Sequence, residues 1–313
     1  MRWLFGLFVL IFSVPISTSR TQAAETFRDC PDCPLMVTVP AGSFAMGASP
    51  DEISKSVSEG AVLKYIEDEK PQHVVEVKQF SISVTEVTRD QFEAFVRDTA
   101  RKVEGPCWHY KMSENTFVSF SSNDWRNPGF VQEGTHPVVC VNWNDATAYV
   151  HWLSQRSAKQ YRLLTEAEWE YAAQAGAATR QYWGTDYASA CRYANINDRS
   201  RAAADHLEIR PIWLFPCTDG FINTAPVAHY EPNAFGVYDM LGNVEELVED
   251  CYVSNYDGAP TDGSARVTVD CSHHVVRGGS WFGSPWAINS AIRWRQSASF
   301  RASNQGFRVA RTE

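Results

Sequence analysis

The sequence lacks an excess of basic residues and, beyond its first two dozen positions, lacks a long apolar run. Its 313 residues carry 28 Lys and Arg against 37 Asp and Glu, which gives a net charge of −9. A chain without a basic face has no electrostatic footprint for a phosphate backbone, so we expect no nucleic-acid partner. Charges interrupt every later apolar stretch, whereas a transmembrane helix needs about twenty apolar residues. We therefore expect no transmembrane segment in the mature chain.

Several catalytic motifs are also missing. The chain contains no Gly-x-Ser-x-Gly elbow, no glycine-rich phosphate loop and no His-Glu-x-x-His pair. These absences argue against a serine hydrolase of the elbow type, a phosphate-loop nucleotide hydrolase and a zinc peptidase. No cysteine follows Cys271, so the last 42 residues offer no thiolate for a soft metal.

The N-terminus has the order of a secretory signal peptide. Arg2 precedes an uninterrupted apolar run over residues 3–14, and residues 15–24 are small and polar. That run is too short to span a bilayer, and Ala23 and Ala24 suit a signal peptidase. We predict a signal peptide over residues 1–24, one domain over residues 25–313, and a secreted or periplasmic location.

Eight cysteines, an even number in an exported chain, predict a disulfide framework. Eight cysteines allow 105 pairings, so spacing alone does not fix the connectivity. We predict that neighbours pair: Cys30 with Cys33, Cys107 with Cys140, Cys191 with Cys217, and Cys251 with Cys271. The alternatives for Cys30 and Cys33 are a redox motif or half of a zinc site, although no second Cys-x-x-Cys follows.

The pattern of apolar residues predicts an α+β fold with little regular structure. Short strands are expected over residues 35–39, 44–46 and 73–83, and residues 51–70 are expected to be a charged surface loop. Capping boxes predict helices after Thr88 and Thr165, and a further helix is expected to open at Asn144 and Asp145. Beyond residue 177 no long helical pattern appears. Such a chain needs crosslinks or bound cations to stabilise its irregular backbone.

Several stretches occur together in a fixed order from about residue 35 to the C-terminus. They are Val39-Pro-Ala-Gly-Ser-Phe-Ala-Met-Gly47, Glu69-Lys-Pro-Gln-His73, His136-Pro-Val-Val139, Leu164-Thr-Glu-Ala-Glu-Trp-Glu-Tyr-Ala172, Tyr193-Ala-Asn195, Asp219-Gly-Phe221, Asn233-Ala-Phe-Gly-Val-Tyr-Asp-Met-Leu-Gly-Asn243, Arg277-Gly-Gly-Ser-Trp281 and Gly306-Phe-Arg308. In these stretches the chain resembles the formylglycine-generating-enzyme, or sulfatase-modifying-factor, family. The resemblance implies a C-type-lectin-like fold.

The resemblance also shows which chemistry this chain lacks. Active family members carry two cysteines shortly after the Gly-Gly-Ser motif, whose thiolates hold copper(I) and activate oxygen. Here residues 278–291 contain no cysteine, and copper(I) requires soft thiolate ligands. The Trp that usually follows the glutamate of the Gly-Asn motif is replaced by Leu247. We therefore expect neither copper nor formylglycine-generating activity.

Calcium needs only oxygen ligands, and the family positions that supply them are present. By resemblance, one site would use Asn195, the Ile196 carbonyl, Asp219 and the Phe221 carbonyl. A second site would use Asn243, Val244 and Glu246. The alternative for Asn195 and Asp219 is ordinary turn chemistry, in which short polar side chains bond their own backbone.

Histidines offer weaker candidates for chemistry. Adjacent His273 and His274 would point in different directions on a strand, and we expect an exposed pair without a catalytic role. His73 and His136 are expected to be structural.

The C-terminal aromatic and arginine residues are the strongest candidate for a ligand surface, because Trp and Arg dominate binding hot spots. We predict Trp281 in the core and Trp286 and Trp294 at the surface. The predicted ligand-binding residues are Ser280, Trp286, Arg293, Trp294, Arg295 and Arg301.

Two classes of function remain open. The first is a calcium- and disulfide-stabilised module that binds a peptide, glycan or protein without catalysis. The alternative is an oxidative tailoring enzyme that uses a different site, as in the periplasmic relatives that help mature the pyoverdine chromophore. A smaller third possibility is a diversified ligand-binding segment at the C-terminus.

Overall fold

The computed structural model describes residues 25–111, 114, 116–204 and 211–313; the predicted signal peptide lies outside them. Short strands and helices alternate with long irregular segments in this part of the chain. The strands are β1 Thr26–Phe27, β2 Met36–Val39, β3 Gly42–Met46, β4 His73–Val77, β5 Phe80–Ser83, β6 Cys107–Lys111, β7 Thr116–Phe120, β8 Tyr161–Arg162, β9 Glu245–Cys251, β10 His273–Arg277, β11 Arg293–Ser297, β12 Gln305–Gly306 and β13 Ala310–Thr312. The helices are α1 Pro50–Ser58, α2 Arg89–Thr99, α3 Trp143–Ser157, α4 Glu166–Gln174 and α5 Arg199–Ala204. The mixed α and β content agrees with the α+β class.

Two of the predicted capping boxes are confirmed. Thr88 accepts a hydrogen bond from the Gln91 amide at the start of α2, and Thr165 accepts one from the Glu168 amide at the start of α4. In each case the longer side chain returns a bond to the backbone amide of the cap. The reciprocal bonds satisfy amide donors that the first helical turn cannot pair internally.

Two boundaries differ from the sequence prediction. The third helix begins at Trp143, because Asn142 rather than Asn144 is the cap and accepts from the Asp145 amide. Residues 51–70 are not simply a loop: α1 begins after Ser49, which forms a capping box with Glu52. Only Ile53 and Ser56 of α1 are buried, so this mostly polar helix gave little apolar periodicity to recognise.

Two small sheets organise the core. The five-stranded sheet has the order β1-β2-β5-β13-β8, so the C-terminal strand β13 lies between β5 and β8. The four-stranded sheet has the order β11-β10-β9-β12, in which β12 runs parallel to β9 and the other pairs are antiparallel. Two hairpins, β3-β4 and β6-β7, complete the described strands.

Four disulfides join the cysteine neighbours that the sequence predicts. The bonds are Cys30–Cys33, Cys107–Cys140, Cys191–Cys217 and Cys251–Cys271. Trp281 is buried in the interior, also as predicted. Within the described residues, no helix combines the length and the apolar character needed to cross a membrane.

Candidate functional site

The loop after β10 carries the Gly-Gly-Ser motif, and its interior is apolar. Gly278 and Gly279 adopt φ values of 91° and 70°, which favour glycine. Ile288 is fully buried beneath them, with its Cδ1 atom 2.6 Å from the position of a Cβ added to Gly279. A Cβ added to Gly283 would also collide with Ile288. Hydrocarbon therefore fills the space under this loop, where no thiolate is available to bind copper.

Aromatic side chains form a wall beside this loop. Tyr110 stacks on Phe282 with ring centroids 4.4 Å apart and planes 14° apart. Trp281 meets the edge of Phe282 at 5.0 Å. Tyr110 and Phe282 remain partly exposed, whereas Trp281 is buried. We call His109, Tyr110, Phe117, Phe130, Trp281 and Phe282 the aromatic wall.

The strands β6, β9 and β12 place polar groups next to the aromatic wall. The Trp281 amide donates to the Asn243 carbonyl at 3.0 Å, two residues before Glu245 in the chain. The Glu245 amide donates to the Asn304 carbonyl at 2.8 Å. His109 shares a hydrogen bond of 2.9 Å with the Ser303 hydroxyl, while its ring lies 6.1 Å from that of Trp281. The contacts thus bring Glu245, Asn304 and Trp281 into one neighbourhood.

Several polar atoms in this neighbourhood are not satisfied by protein groups. Ser280 Oγ, Trp281 Nε1 and Asn304 Oδ1 are buried and have no hydrogen-bond partner among the described residues. A buried polar atom without a partner costs about 1–3 kcal/mol, so a ligand or water that bonds it is favoured. Burial raises the pKa of Glu245 to about 8, and the hydrogen bond with Asn304 opposes that rise. Glu245 can therefore exchange a proton near neutral pH.

The sequence prediction named Ser280 but missed Glu245, Asn304, His109 and Tyr110. Glu245 lies two residues after Asn243, the end of a stretch that carries the family resemblance, so its position was visible in the sequence. The burial of Glu245 could not be predicted from the sequence, because Asn304 and the aromatic wall come from distant parts of the chain.

The four residues predicted for the first calcium site come together in the structure. Asp219 Oδ2 accepts from the Ile196 amide at 2.9 Å, and its Oδ1 accepts from the Phe221 amide at 2.8 Å. Asn195 is buried, and its Oδ1 has no partner among the described residues. Burial, with a smaller contribution from Asp198, raises the pKa of Asp219 to about 7, and the bonds from the Ile196 and Phe221 amides oppose that rise. Clustered oxygens with an unpaired amide oxygen fit a hard cation.

The residues predicted for the second calcium site are engaged by protein groups. Both oxygens of Glu246 accept from Arg308, at 2.6 and 2.7 Å, and one also accepts from Trp169 Nε1 at 2.8 Å. Asn243 Oδ1 accepts from the Asn195 side chain at 3.1 Å. Val244 is buried in the neighbouring apolar cluster.

Two buried carboxyls beside the second site were not predicted. Asn243 donates to Glu86 Oε1 at 3.1 Å. Glu86 Oε2 and Asp239 Oδ1 are buried and accept no hydrogen bond from another group, and a bond between the two carboxyls requires a proton on one of them. Burial raises the pKa of Asp239 to about 6, and burial together with Asp239 raises that of Glu86. With Glu246, three acids face one Arg308, so bound protons or a cation must balance the excess negative charge.

The predicted C-terminal ligand cluster does not form one surface. Arg293 was expected to face a ligand, but only 2% of it is exposed. Its guanidinium donates to both oxygens of Glu166, at 2.6 and 3.0 Å, so this arginine belongs to the core. Arg301 donates to one oxygen of Asp145, at 3.0 and 2.8 Å. Both arginines are occupied by internal carboxylates.

The remaining members of that cluster lie nearer the surface. Trp286 meets Trp294 edge to face at 6.1 Å, and both are half-buried against a small apolar cluster. Tyr65 lies 6.1 Å from Trp294 and is 44% exposed. Arg295 is exposed and lies 5.2 Å from the Tyr252 ring. Trp286, Trp294 and Tyr65 thus form one aromatic patch near the surface, and Arg295 shares the Tyr252 ring with the buried Arg293.

The two adjacent histidines differ from the expected exposed pair. His273 is exposed, whereas His274 is 5% exposed and its ring stacks on Trp143 at 3.9 Å. His136 is buried and shares a 3.0 Å hydrogen bond with Thr224, and His73 contacts the Pro71 carbonyl at 3.0 Å. The last two contacts agree with structural roles.

The described part of the surface contains two concave regions of note. A groove of about 680 Å³ is lined by Arg89, Arg126, Phe130 and Gln132, and Phe130 also belongs to the aromatic wall. A cavity of about 340 Å³ lies between β3 and the segment after α4, lined by Phe44, Gln174, Arg180 and Ser290 among others. The groove thus reaches the aromatic wall from outside.

Comparison with known proteins places the chain in a family. Residues 22–313 match the family described as "Sulfatase-modifying factor enzyme 1-like domain". The chain is 31% identical to the formylglycine-generating enzyme of Streptomyces coelicolor over 311 residues, covering 88% of each chain. It is 29% identical to the inactive C-alpha-formylglycine-generating enzyme 2 of Bos taurus, covering 88% of this chain and 87% of that one.

A solved structure is also similar over nearly the whole chain. PvdO from Pseudomonas aeruginosa superposes with a TM-score of 0.76 at 36% sequence identity, covering 93% of this chain and 99% of that one. The family match, the identity to formylglycine-generating enzymes and the shared fold agree with one another. The chain therefore belongs to the formylglycine-generating-enzyme family of sulfatase-modifying-factor-like proteins.

Proposed function

We propose that this chain is an oxidative tailoring enzyme that uses the polar groups beside the aromatic wall instead of a copper-thiolate centre. The observation that carries the proposal is the buried Glu245 carboxyl, which is hydrogen-bonded to Asn304. The Trp281 amide bonds the Asn243 carbonyl two residues earlier in the chain, and Ser280 Oγ and Trp281 Nε1 lack partners among the described residues. The similarity to PvdO over 93% of the chain favours the tailoring alternative over formylglycine formation. The role is of the kind that periplasmic relatives play in maturing the pyoverdine chromophore.

The substrate class is an electron-rich aromatic or heteroaromatic ring. Such a ring would stack against the exposed faces of Tyr110 and Phe282, because aromatic pairs gain about 0.5–1.5 kcal/mol beyond their buried area. Ser280 Oγ and Trp281 Nε1 would hydrogen-bond its polar substituents. Glu245 would accept a proton from a ring N–H or C–H group. The substrate loses two electrons and two protons in total, and dioxygen takes them up to form hydrogen peroxide.

A direct test uses Glu245→Gln, which keeps the shape and a hydrogen bond to Asn304 but cannot accept a proton. Dioxygen uptake and peroxide release are measured with a reduced pyoverdine-type chromophore precursor. Removing a general base lowers rates by about 10²–10⁴-fold. Because the base must be ionised, the wild-type rate should rise with pH towards the Glu245 pKa of about 8 and level off above it.

The matched control is Glu93→Gln, since Glu93 is an exposed carboxylate on α2. It should leave both the rate and its pH dependence unchanged. An unchanged rate in Glu245→Gln, with substrate turned over by the wild type, would refute the assigned role. If the wild type shows no turnover but forms an aldehyde from a sulfatase peptide with copper and air, the whole proposal is wrong.

Calcium at the first site, export and a C-type-lectin-like arrangement are further parts of the proposal. The buried Asp219 and the unpaired Asn195 oxygen support a hard cation. Four disulfides support an oxidising compartment, secreted or periplasmic. Metal analysis of the purified protein should find calcium; stoichiometric copper or iron would point to metal-dependent oxygen chemistry instead.

A second candidate function is a binding module without catalysis. It is favoured by the half-buried Trp286 and Trp294 pair at the surface and by the similarity to inactive relatives. Labelled protein would be applied to peptide and glycan arrays with and without calcium. A double Trp286→Ala and Trp294→Ala variant should weaken any binding at least tenfold. The control Trp183→Ala, which removes a ring that stacks on Tyr193, should keep it. Equal binding by the double variant would exclude this surface.

A further inference from the structure

Two cysteines and one histidine meet at the four-stranded sheet, away from the aromatic wall. Cys251 ends β9, and its register partner on β10 is His274. Cys271 precedes β10 and is disulfide-bonded to Cys251. Donor atoms of the three residues all lie within 4.8 Å of one another, and Cys271 Sγ is 3.8 Å from each ring nitrogen of His274.

The neighbouring residues fix the orientation of the His274 ring. Its ring stacks on Trp143 with planes 11° apart, and Trp143 is itself fixed by a 3.0 Å hydrogen bond to the Val248 carbonyl. His274 Nδ1 lies 3.3 Å from the Glu249 carbonyl. The backbone carbonyls of Glu249 and Asp250 both accept hydrogen bonds from the ring, so binding of a cation at Nε2 requires the tautomer with its proton on Nδ1. Histidines that bind metals commonly have their second ring nitrogen fixed by a carbonyl in this way.

We propose that Cys251, Cys271 and His274 form a latent site for a soft or borderline cation, Zn²⁺ or Cu⁺, that opens when a thiol reductant reduces the disulfide. The reductant gives two electrons and two protons to the sulfur–sulfur bond and becomes a disulfide itself. The two resulting thiols release their protons when the cation binds. Two thiolates and one imidazole are a donor set that suits these cations.

Binding of a cation at this site requires only a local movement of the two cysteine sulfurs. In a tetrahedral zinc site with bonds of about 2.3 Å to sulfur and about 2.0 Å to nitrogen, the sulfur–nitrogen edge is about 3.5 Å and the sulfur–sulfur edge about 3.8 Å. The distances from Cys271 Sγ to the His274 nitrogens are already 3.8 Å. The sulfurs must separate, and Cys271 lies next to an exposed segment in which Val267 is 71% exposed. Cys251 and His274 stay fixed by strand pairing.

The test is a zinc titration of the full chain against a chromophoric chelator, before and after reduction by a phosphine that is then removed. A background with Cys30→Ser, Cys33→Ser, Cys191→Ser and Cys217→Ser removes the closely spaced thiol pair near the N-terminus and the pair beside Asp198 and Asp219. We expect reduction to create one added zinc equivalent, and His274→Gln to weaken it at least tenfold. Bound zinc should protect Cys251 and Cys271 from alkylation, as mapped by mass spectrometry.

A second variant covers the case in which reduction of all disulfides unfolds the chain. Cys251→Asp with Cys271→His places oxygen and nitrogen donors beside His274 without any reduction. This variant should bind zinc under oxidising conditions, and adding His274→Gln should remove the binding. The proposal is overturned if neither the reduced chain nor this variant binds zinc, or if His274→Gln changes nothing.

Discussion

Asp219 links calcium to stability in a way that depends on pH. Burial raises its pKa from 3.8 to about 7 in the folded chain. The folded state therefore holds a proton that the unfolded state releases between pH 4 and 7, and stability falls as pH rises through that window. A shift of roughly 3 units corresponds to about 4 kcal/mol as an order of magnitude. At the proposed site calcium would bind the ionised carboxylate, so added calcium should offset this loss most at pH 8 and least at pH 5.

The assay is thermal unfolding at pH 5 and pH 8, with and without calcium. At a calcium concentration of about 100 times the dissociation constant, the stabilisation is about 2.7 kcal/mol. For a domain of this size that raises the melting temperature by about 4–5 °C. Asp219→Asn should lose the calcium response and, without calcium, should lose less stability than the wild type between pH 5 and pH 8. The exposed control Asp270→Asn should behave as the wild type.

The reasoning is refuted if calcium shifts the melting temperature equally in Asp219→Asn and in the wild type. It is also refuted if the wild-type response at pH 5 equals or exceeds that at pH 8, because protons should compete with calcium for the Asp219 carboxylate at the lower pH.

Two further substitutions test the core. Arg308→Met removes the guanidinium that bonds both oxygens of Glu246 and leaves the buried carboxylates without a balancing charge. Urea denaturation should therefore show a free energy of unfolding lower by about 3–5 kcal/mol. A loss below about 1 kcal/mol would mean that these acids are already protonated. Phe92→Ala deletes a fully buried ring that contacts Phe95, Trp125 and others, and should cost about 3–5 kcal/mol by the same measurement. A much smaller cost would indicate that the surrounding rings close the cavity.

The sequence predictions succeeded where the interaction is local. Thr88 with Gln91 and Thr165 with Glu168 lie three residues apart, so the capping bonds can be inferred from the spacing. Neighbouring cysteines likewise proved to be partners. Helix α1 was missed because its stability comes from its cap and from two buried side chains rather than from a wide apolar stripe.

The predictions failed where one side chain meets another from a distant part of the chain. Arg293 has the residue type of a binding hot spot, but Glu166, 127 residues away, places it in the core. His274 was predicted to be exposed, but the Trp143 ring stacks on its imidazole and covers it. Neither partner can be identified from spacing, because strand register and helix packing decide which residues meet.

The sequence by itself determined the family, the absence of thiolates after Cys271, the helix caps and the pairing of neighbouring cysteines, since each depends on residue identity or short spacing. Only the tertiary structure decided that Glu245 is buried beside Asn304 and Trp281, and that Cys251 and Cys271 flank a fixed histidine. The physical reason is that burial and partner choice set a group's protonation and reactivity, and both arise when distant segments pack together.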